Sequence, residues 1–236
     1  MNRRGQPDIR EIADSSESRF ASKAQILYLN PRIAAHFCAI LKPEIHNPFF
    51  FYRGHRFEGV LGNRNEYQHT FGTSGGFSVR GGPVGKRGLH QLMTLDTRDP
   101  ILSGIFSEIP LLPFYYGFHY ESGRVEYHLT DESTVTITEL NESSYDVHWP
   151  YDGYPELFPV NTLTLTQPTP CDLATFEREV WQGVEHRFAD HFIAVIPPSD
   201  AYGVHLWHAR NNFDDIHVKC FVNPATKHVV IYNECG

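Results

Sequence analysis

Residues 124–140 read RVEYHLTDESTVTITEL, and this stretch decides the fold class. Val125, Tyr127 and Leu129 alternate with polar residues, and after a polar turn the alternation resumes at Val135. Successive side chains of a strand point to opposite faces, so apolar residues at every second position are typical of a strand with one buried face. The stretch therefore predicts a β-hairpin.

Other segments also favour strands. Residues 49–52 form a short aromatic run, and residues 114–120 predict an aromatic strand. Near the C-terminus, residues 216–222 and 228–233 flank a turn that contains proline, which predicts a second hairpin. Strands are thus expected from the first quarter of the chain to its end.

Two segments favour helices. At about 31–41, Asn30 and Pro31 supply an N-cap and a first helical residue, and at about 172–190 Asp172 can cap an apolar stripe at helical spacing. The two helices are far apart and do not alternate regularly with the strands. We therefore predict an α+β fold with a mostly antiparallel sheet and two main helices.

The domain organisation follows from composition. The chain has 236 residues, of which 41% are hydrophobic and 20% charged, so a substantial core can form. Residues 1–22 are rich in charge and poor in large apolar side chains, which predicts a disordered tail. No linker divides the remainder, and residues 23–236 are predicted to form a single domain.

The charge balance limits the expected partners and location. The formal net charge is −8, which disfavours a nucleic-acid partner. No apolar run approaches the roughly 20 residues of a membrane span, and the N-terminus lacks the apolar core of a signal peptide. The four cysteines contain no Cys-x-x-Cys pair and are expected to be reduced. These features predict a cytoplasmic protein with no membrane partner.

Residues 72–88 contain seven glycines together with Arg80 and Lys86. A phosphate-binding loop is excluded because Arg80 occupies a required glycine position and Arg87 follows Lys86 where serine or threonine is needed. Two interpretations stay open. The glycines can form tight turns and bulges, or the segment can bind an anion or a peptide through Arg80 and Lys86.

The remaining residues with chemical potential form no complete motif. The 14 histidines are scattered, and none forms a His-x-His pair, so no metal site and no cofactor are predicted. Trp149 and Tyr151 lie in an aromatic loop that contains proline and glycine. Such a loop can be a recognition surface, or it can cover the open end of a sheet.

Three short motifs carry a resemblance to a family. Phe71-Gly72, the strand-like run 91–96 and Leu112-Pro113 before aromatic residues are similar to the YwqG-like family of uncharacterised bacterial proteins, as is the closing run 229–235 with its late Cys235. The resemblance implies an α+β cytoplasmic protein. It implies no particular activity.

A second resemblance concerns Arg53. Phe51-Tyr52-Arg53-Gly54 is similar to the first motif of ADP-ribosyltransferases, in which an arginine at the end of a strand holds the dinucleotide, and Phe71-Gly72-Thr73-Ser74 resembles part of their serine-containing strand. These enzymes also use a glutamate on a strand. Here Glu-x-Glu occurs only at residues 177–179, inside the second predicted helix.

Two functions follow as hypotheses. The first is a non-catalytic binding or protein-interaction module, since no catalytic motif is complete. The alternative is an enzyme that acts on a nucleotide or another small anionic molecule, with Arg53, Arg80 and Lys86 holding the anion. The candidate ligand-binding residues are thus Arg53, Arg80, Lys86, Trp149 and Tyr151, and the partner is a protein or a small anion.

Overall fold

The structure is a computed structural model that describes residues 47–62, 66–85, 88–103, 105, 108–118, 123–140, 152–181, 190–206 and 216–235. Strands account for 48% of these residues. The strands are β1 (Phe49–Tyr52), β2 (His55–Leu61), β3 (Thr70–Phe71), β4 (Ser78–Arg80), β5 (His90–Asp96), β6 (Leu111–Tyr116), β7 (Arg124–Leu129), β8 (Thr134–Leu140), β9 (Asn161–Leu165), β10 (Thr169–Pro170), β11 (Phe192–Ile196), β12 (Ile216–Asn223) and β13 (His228–Cys235).

The strands are hydrogen-bonded side by side into one sheet. Their order is β4-β8-β7-β13-β12-β11-β1-β2-β9-β3-β5-β6, and β10 also pairs with β2. Among these strands β4 and β8 pair in parallel, whereas the other pairs are antiparallel. The prediction of a mostly antiparallel sheet is therefore confirmed, and so are the hairpins β7–β8 and β12–β13.

The predicted α+β class with two main helices is wrong. The first predicted helix, at 31–41, and the predicted tail, at 1–22, lie outside the described residues. The second, at 172–190, is described only at 172–181 and 190, where it contains one α-helical turn, α1 (Leu173–Phe176), followed by a π-helical turn over Glu177–Trp181, and residues 182–189 lie outside the described residues. Asp172 does cap α1, since its side chain accepts a hydrogen bond from the Thr175 N–H. The described part of the chain is thus predominantly β.

Within the described residues, only the first residues of the apolar stripe that predicts a long helix lie on an α-helical turn. Phe176 is fully buried and its ring packs 5.2 Å from that of Phe51 on β1. Leu173, at the start of the same turn, packs against the same apolar cluster. The widening to a π-helix at Glu177 then changes the period on which the prediction depends.

The central strands are buried on both faces. The larger cluster of apolar side chains includes Phe50, Phe192 and Leu92, and a smaller cluster on the other face of β1 and β11 includes Phe51 and Ile193. Two-sided burial favours continuous apolar sequence over alternation. This explains why residues 192–196 are all buried, while β7 alternates between buried and half-buried residues.

The edge of strand β6 is completed by a side chain. Tyr127 of β7 is fully buried, and its hydroxyl donates a hydrogen bond to the Pro113 carbonyl at 2.7 Å. The same hydroxyl accepts a hydrogen bond from the Tyr115 N–H at 3.3 Å. Buried backbone groups need partners, and Tyr127 supplies them on the side of β6 where none of the described strands pairs with it.

Candidate functional site

Arg53 lies in the turn between β1 and β2. Its φ is +47° and that of Gly54 is +74°, as a tight two-residue hairpin turn requires at both central positions. The guanidinium stacks 5.0 Å from the centre of the Tyr52 ring, and the arginine is exposed. The strand predicted at residues 49–52 is confirmed as β1, and Arg53 follows it directly.

Arg80 lies at the end of β4, where it is exposed. Five strands separate β4 from β1 in the sheet. With neighbouring strands roughly 4.8 Å apart, the path along the sheet from one to the other is about 30 Å. Arg53, in the turn after β1, and Arg80, on β4, are therefore not on neighbouring strands of the sheet. The other three candidate residues, Lys86, Trp149 and Tyr151, lie outside the described residues.

The glycine-rich segment makes close backbone contacts. Gly72 has a φ of +92°, and a Cβ atom placed on it would lie 2.0 Å from the Pro159 carbonyl oxygen. The neighbouring Thr73 N–H donates a hydrogen bond to the Phe158 carbonyl at 3.2 Å. Glycine at position 72 thus lets residues 72–73 lie directly against residues 158–159.

A buried histidine–aspartate pair lies between β3 and the end of β5. The His69 Nε2–H donates a hydrogen bond to Asp99 Oδ2 at 2.9 Å, and the two side chains are 0% and 4% exposed. The other ring nitrogen, Nδ1, accepts the Asp96 backbone N–H at 3.0 Å. Burial lowers the pKa of His69, although Asp99 and Asp96 oppose this effect. Both ring nitrogens are thus committed to the fold, and His69 stabilises the loop after β5.

Asp96 completes this cluster and joins it to the exposed side chain of Arg98. Its carboxylate accepts hydrogen bonds from the Gln68 N–H at 3.0 Å and from Arg98 Nη2 at 2.6 Å. Burial on its own raises the pKa of Asp96, but the hydrogen bonds from Arg98 and Gln68 outweigh it and lower the pKa to about 2. The folded protein therefore holds Asp96 as a carboxylate.

We expect Asp96 to make the protein sensitive to strong acid. Its pKa rises from about 2 to the ordinary value of 3.8 on unfolding, so its contribution is complete above about pH 4 and is lost as the pH falls toward 2. The loss amounts to about 2 kcal/mol of unfolding free energy.

Urea denaturation of wild type and Asp96→Asn between pH 5 and pH 2 measures this loss. In Asp96→Asn the unfolding free energy should not show this fall between about pH 4 and pH 2. The control Asp131→Asn, in an exposed turn, should retain most of the fall. Equal profiles for wild type and Asp96→Asn would contradict the assignment.

A second buried polar cluster joins the glycine-rich segment to β5. Gln91 is 1% exposed, and its Nε2 donates hydrogen bonds to Thr94 Oγ1 at 2.6 Å and to Ser74 Oγ at 3.1 Å. The Tyr115 hydroxyl donates to Gln91 Oε1 over a longer distance of 3.5 Å. Burial raises the pKa of Tyr115 to about 12, so its hydroxyl stays protonated. This cluster positions Ser74 within the segment and contains no strong acid or base.

Exposed hydrophobic side chains occur on two loops that touch each other. Within the described ranges, the large hydrophobic residues that are exposed are Val84 (47%), Leu157 (53%) and Val160 (55%). A Cβ atom placed on Gly85 would lie 2.5 Å from Glu156 Oε1, which shows the proximity of the two loops. We call residues 83–85 together with 156–160 the loop surface.

The described residues form no metal-binding cluster and no membrane-spanning helix. No group of three or more His, Cys, Asp or Glu side chains in the described part of the chain is arranged to hold a metal ion. Cys171 and Cys220 are free thiols, whereas the side chains of the other two cysteines are not described. No helix in the described ranges is both long and apolar enough to cross a membrane.

Comparison with known proteins gives no relative: no family model, no curated protein and no solved structure matches the chain. The resemblances to the YwqG-like family and to ADP-ribosyltransferases therefore stay predictions.

Sequence reasoning missed the His69–Asp99 pair and the loop surface. Asp99 precedes Pro100 and its side chain accepts the Ile101 N–H, so an N-cap pattern could have identified it. For the loop surface, the available signal was an apolar residue between Pro83 and Gly85, where a turn exposes its side chain.

Proposed function

We propose that this protein is a non-catalytic binding module that contacts a partner protein through the loop surface. The observation that carries the proposal is the placement of Val84, Leu157 and Val160, which are all about half exposed, on two touching loops. Single exposed apolar residues are ordinary on any protein, but a group of them marks an interaction site. Loops on a rigid sheet are a common place for such a site.

The buried polar groups support a non-catalytic role. Both ring nitrogens of His69 are hydrogen-bonded within the protein, and Asp99 also accepts the Ile101 N–H. A general base must reach the proton that it removes, and His69 has no exposed side-chain surface. Five strands lie between β4, which ends at Arg80, and β1, which precedes Arg53, so the proposal does not join the two arginines in one anion site.

The proposal includes the partner class and location predicted above. The partner is a protein, no cofactor or nucleic acid takes part, and the module acts in the cytoplasm. An apolar contact suits a protein partner, because each of these half-exposed Leu and Val side chains that the partner covers contributes about 1 kcal/mol. The alternative, an enzyme that acts on a small anionic molecule, is an outcome of the test below.

Site-specific photo-crosslinking in cells tests the proposal. A photo-reactive phenylalanine analogue replaces Leu157 in one protein and Glu132, an exposed residue in the β7–β8 turn, in a matched control. We expect a discrete crosslinked protein with the analogue at Leu157 and none with the analogue at Glu132. The crosslink should weaken at least tenfold when Val84→Asp is added, since a buried charge opposes the contact.

Two results would overturn the proposal. Equal crosslinking from the two positions would show that the loop surface has no special affinity for proteins. Thermal stabilisation of the purified protein by ATP, NAD or inorganic phosphate that Arg53→Ala abolishes would favour the enzyme alternative instead.

A further inference from the structure

Two histidines face each other across neighbouring strands. His128 of β7 lies directly opposite His228 of β13, and their ring centres are 4.6 Å apart with an angle of 27° between the rings. Both are half-buried, on the face of β7 opposite to Tyr127. Stacked imidazoles attract each other when neutral and repel each other when both carry a proton.

The hydrogen bonds of the two rings determine where the next protons go. The His228 Nε2–H donates to Glu126 Oε2 at 3.0 Å, because a carboxylate only accepts. The His128 Nδ1–H donates to the Thr226 carbonyl at 3.4 Å. Protonation therefore adds a proton to Nδ1 of His228 and to Nε2 of His128. Adding either proton leaves both of these hydrogen bonds intact. The second proton is therefore harder to add because the two positively charged rings repel each other.

Several other charged groups surround the pair. Arg124 on β7 donates a hydrogen bond to Glu126 Oε1 at 2.6 Å, which takes up much of the negative charge of that carboxylate. Glu139 on β8 lies opposite Glu126 and is a second acidic residue near the pair. His191, just before β11, is close enough for the charge of His228 to lower its pKa. The Glu126 carboxylate thus attracts the first proton to the pair. Because Arg124 partly neutralises this carboxylate, it offsets little of the repulsion that a second proton creates.

We propose that His128 and His228 form a proton-responsive clasp, that is, a side-chain contact that holds β7 against β13. The clasp is closed, with the two rings stacked, while at most one ring is charged, and it opens, with the strands locally separated, when both are charged. Two unit charges 4.6 Å apart on a partly solvated surface make the second proton about tenfold harder to add. The clasp opens at the end of the ladder next to the β12–β13 turn. There the Leu129 N–H donates to the Lys227 carbonyl at 3.1 Å.

The direction of the titration agrees with this geometry. Burial is the largest cause that lowers the pKa of His228, the charge of His128 lowers it further, and Glu126 opposes both. A histidine whose pKa is lower in the folded protein contributes stability that is complete above its unfolded value of about 6.5 and is lost as the pH falls below that value through the lower pKa of the folded protein. The clasp is therefore closed at neutral pH and opens in mild acid.

NMR titration of the histidine rings in the full chain tests the coupling. We expect His128→Gln to raise the pKa of His228 by up to about one unit, because the neighbouring positive charge is removed. Glu126→Gln should lower it, since the attracting carboxylate is lost. The two variants thus shift one resonance in opposite directions, whereas a role in packing alone predicts no such pair of shifts.

Hydrogen exchange tests the opening itself. In the wild type, the amide protons of Leu129 and Lys227 should become about tenfold less protected when the pH falls from 7 to 5, after correction for the intrinsic rate. In His128→Gln their protection should stay constant. An unchanged His228 pKa in His128→Gln, or equal loss of protection in both proteins, would overturn the proposal. The buried His69 is present in every variant, so its own titration cancels, and no partner protein is needed.

Discussion

Tyr127→Phe should destabilise the protein by about 2–4 kcal/mol. The substitution keeps the buried ring but removes the hydroxyl that bonds to the Pro113 carbonyl and the Tyr115 N–H. Each buried backbone group left without a partner costs about 1–3 kcal/mol. Urea denaturation followed by circular dichroism measures the loss, and the dependence on urea should be unchanged because the core is still packed.

Tyr115→Phe is the matched control for this prediction. It also removes a buried tyrosine hydroxyl, but that hydroxyl makes one long hydrogen bond, 3.5 Å from Gln91 Oε1. We expect it to cost about 1 kcal/mol or less. Similar losses in the two variants would show that the edge of β6 does not depend on Tyr127.

Gly72→Ala should lower the free energy of unfolding by about 3–5 kcal/mol, which is a large loss for the addition of one methyl group. A methyl group at this position would lie 2.0 Å from the Pro159 oxygen and 2.8 Å from its carbonyl carbon, and both are backbone atoms. The φ of +92° adds the cost of a conformation that other residues rarely adopt. Either the loop at 158–159 or the segment at 72–73 must move, and thermal unfolding should show the loss.

Gly75→Ala separates the two causes. Gly75 has a similarly positive φ of +75°, but a Cβ atom placed on it would meet no other atom within 4 Å. We expect only the backbone cost, about 1–2 kcal/mol. If Gly72→Ala were no worse than Gly75→Ala, the close approach of residue 72 to Pro159 would not be a feature of the folded protein.

The strands that can be predicted are those whose side chains differ between the two faces. The hairpin β7–β8 follows directly from alternation, because one face is buried and the other is not. The aromatic run predicts a strand at 114–120, whereas β6 spans Leu111–Tyr116. Pro113 suggests a boundary, yet proline is tolerated on an edge strand, where its missing N–H is not needed.

The helix and the functional surface depend on contacts between distant residues. The pattern after Asp172 predicts a helix of about five turns, but within residues 172–181, the part of it that the structure describes, one α-helical turn brings Phe176 onto Phe51 and is followed by a π-helical turn. The exposure of Leu157 likewise depends on how its loop lies against residues 72 and 85. Neither property is encoded by local periodicity, so sequence patterns alone do not reveal them.

The pairing of β1 has a consequence for synthesis on the ribosome. Strand β1 pairs locally with β2, but its other edge pairs with β11, where Phe49 lies opposite Val195. At about 5–20 residues per second, translation needs roughly 7–30 s to produce that partner. During this time the backbone groups on one edge of β1 have no partner strand, and the aromatic side chains of β1 are not yet covered. Chaperone binding to the emerging chain is thus expected at residues 49–52, and it should end once residue 196 has left the exit tunnel.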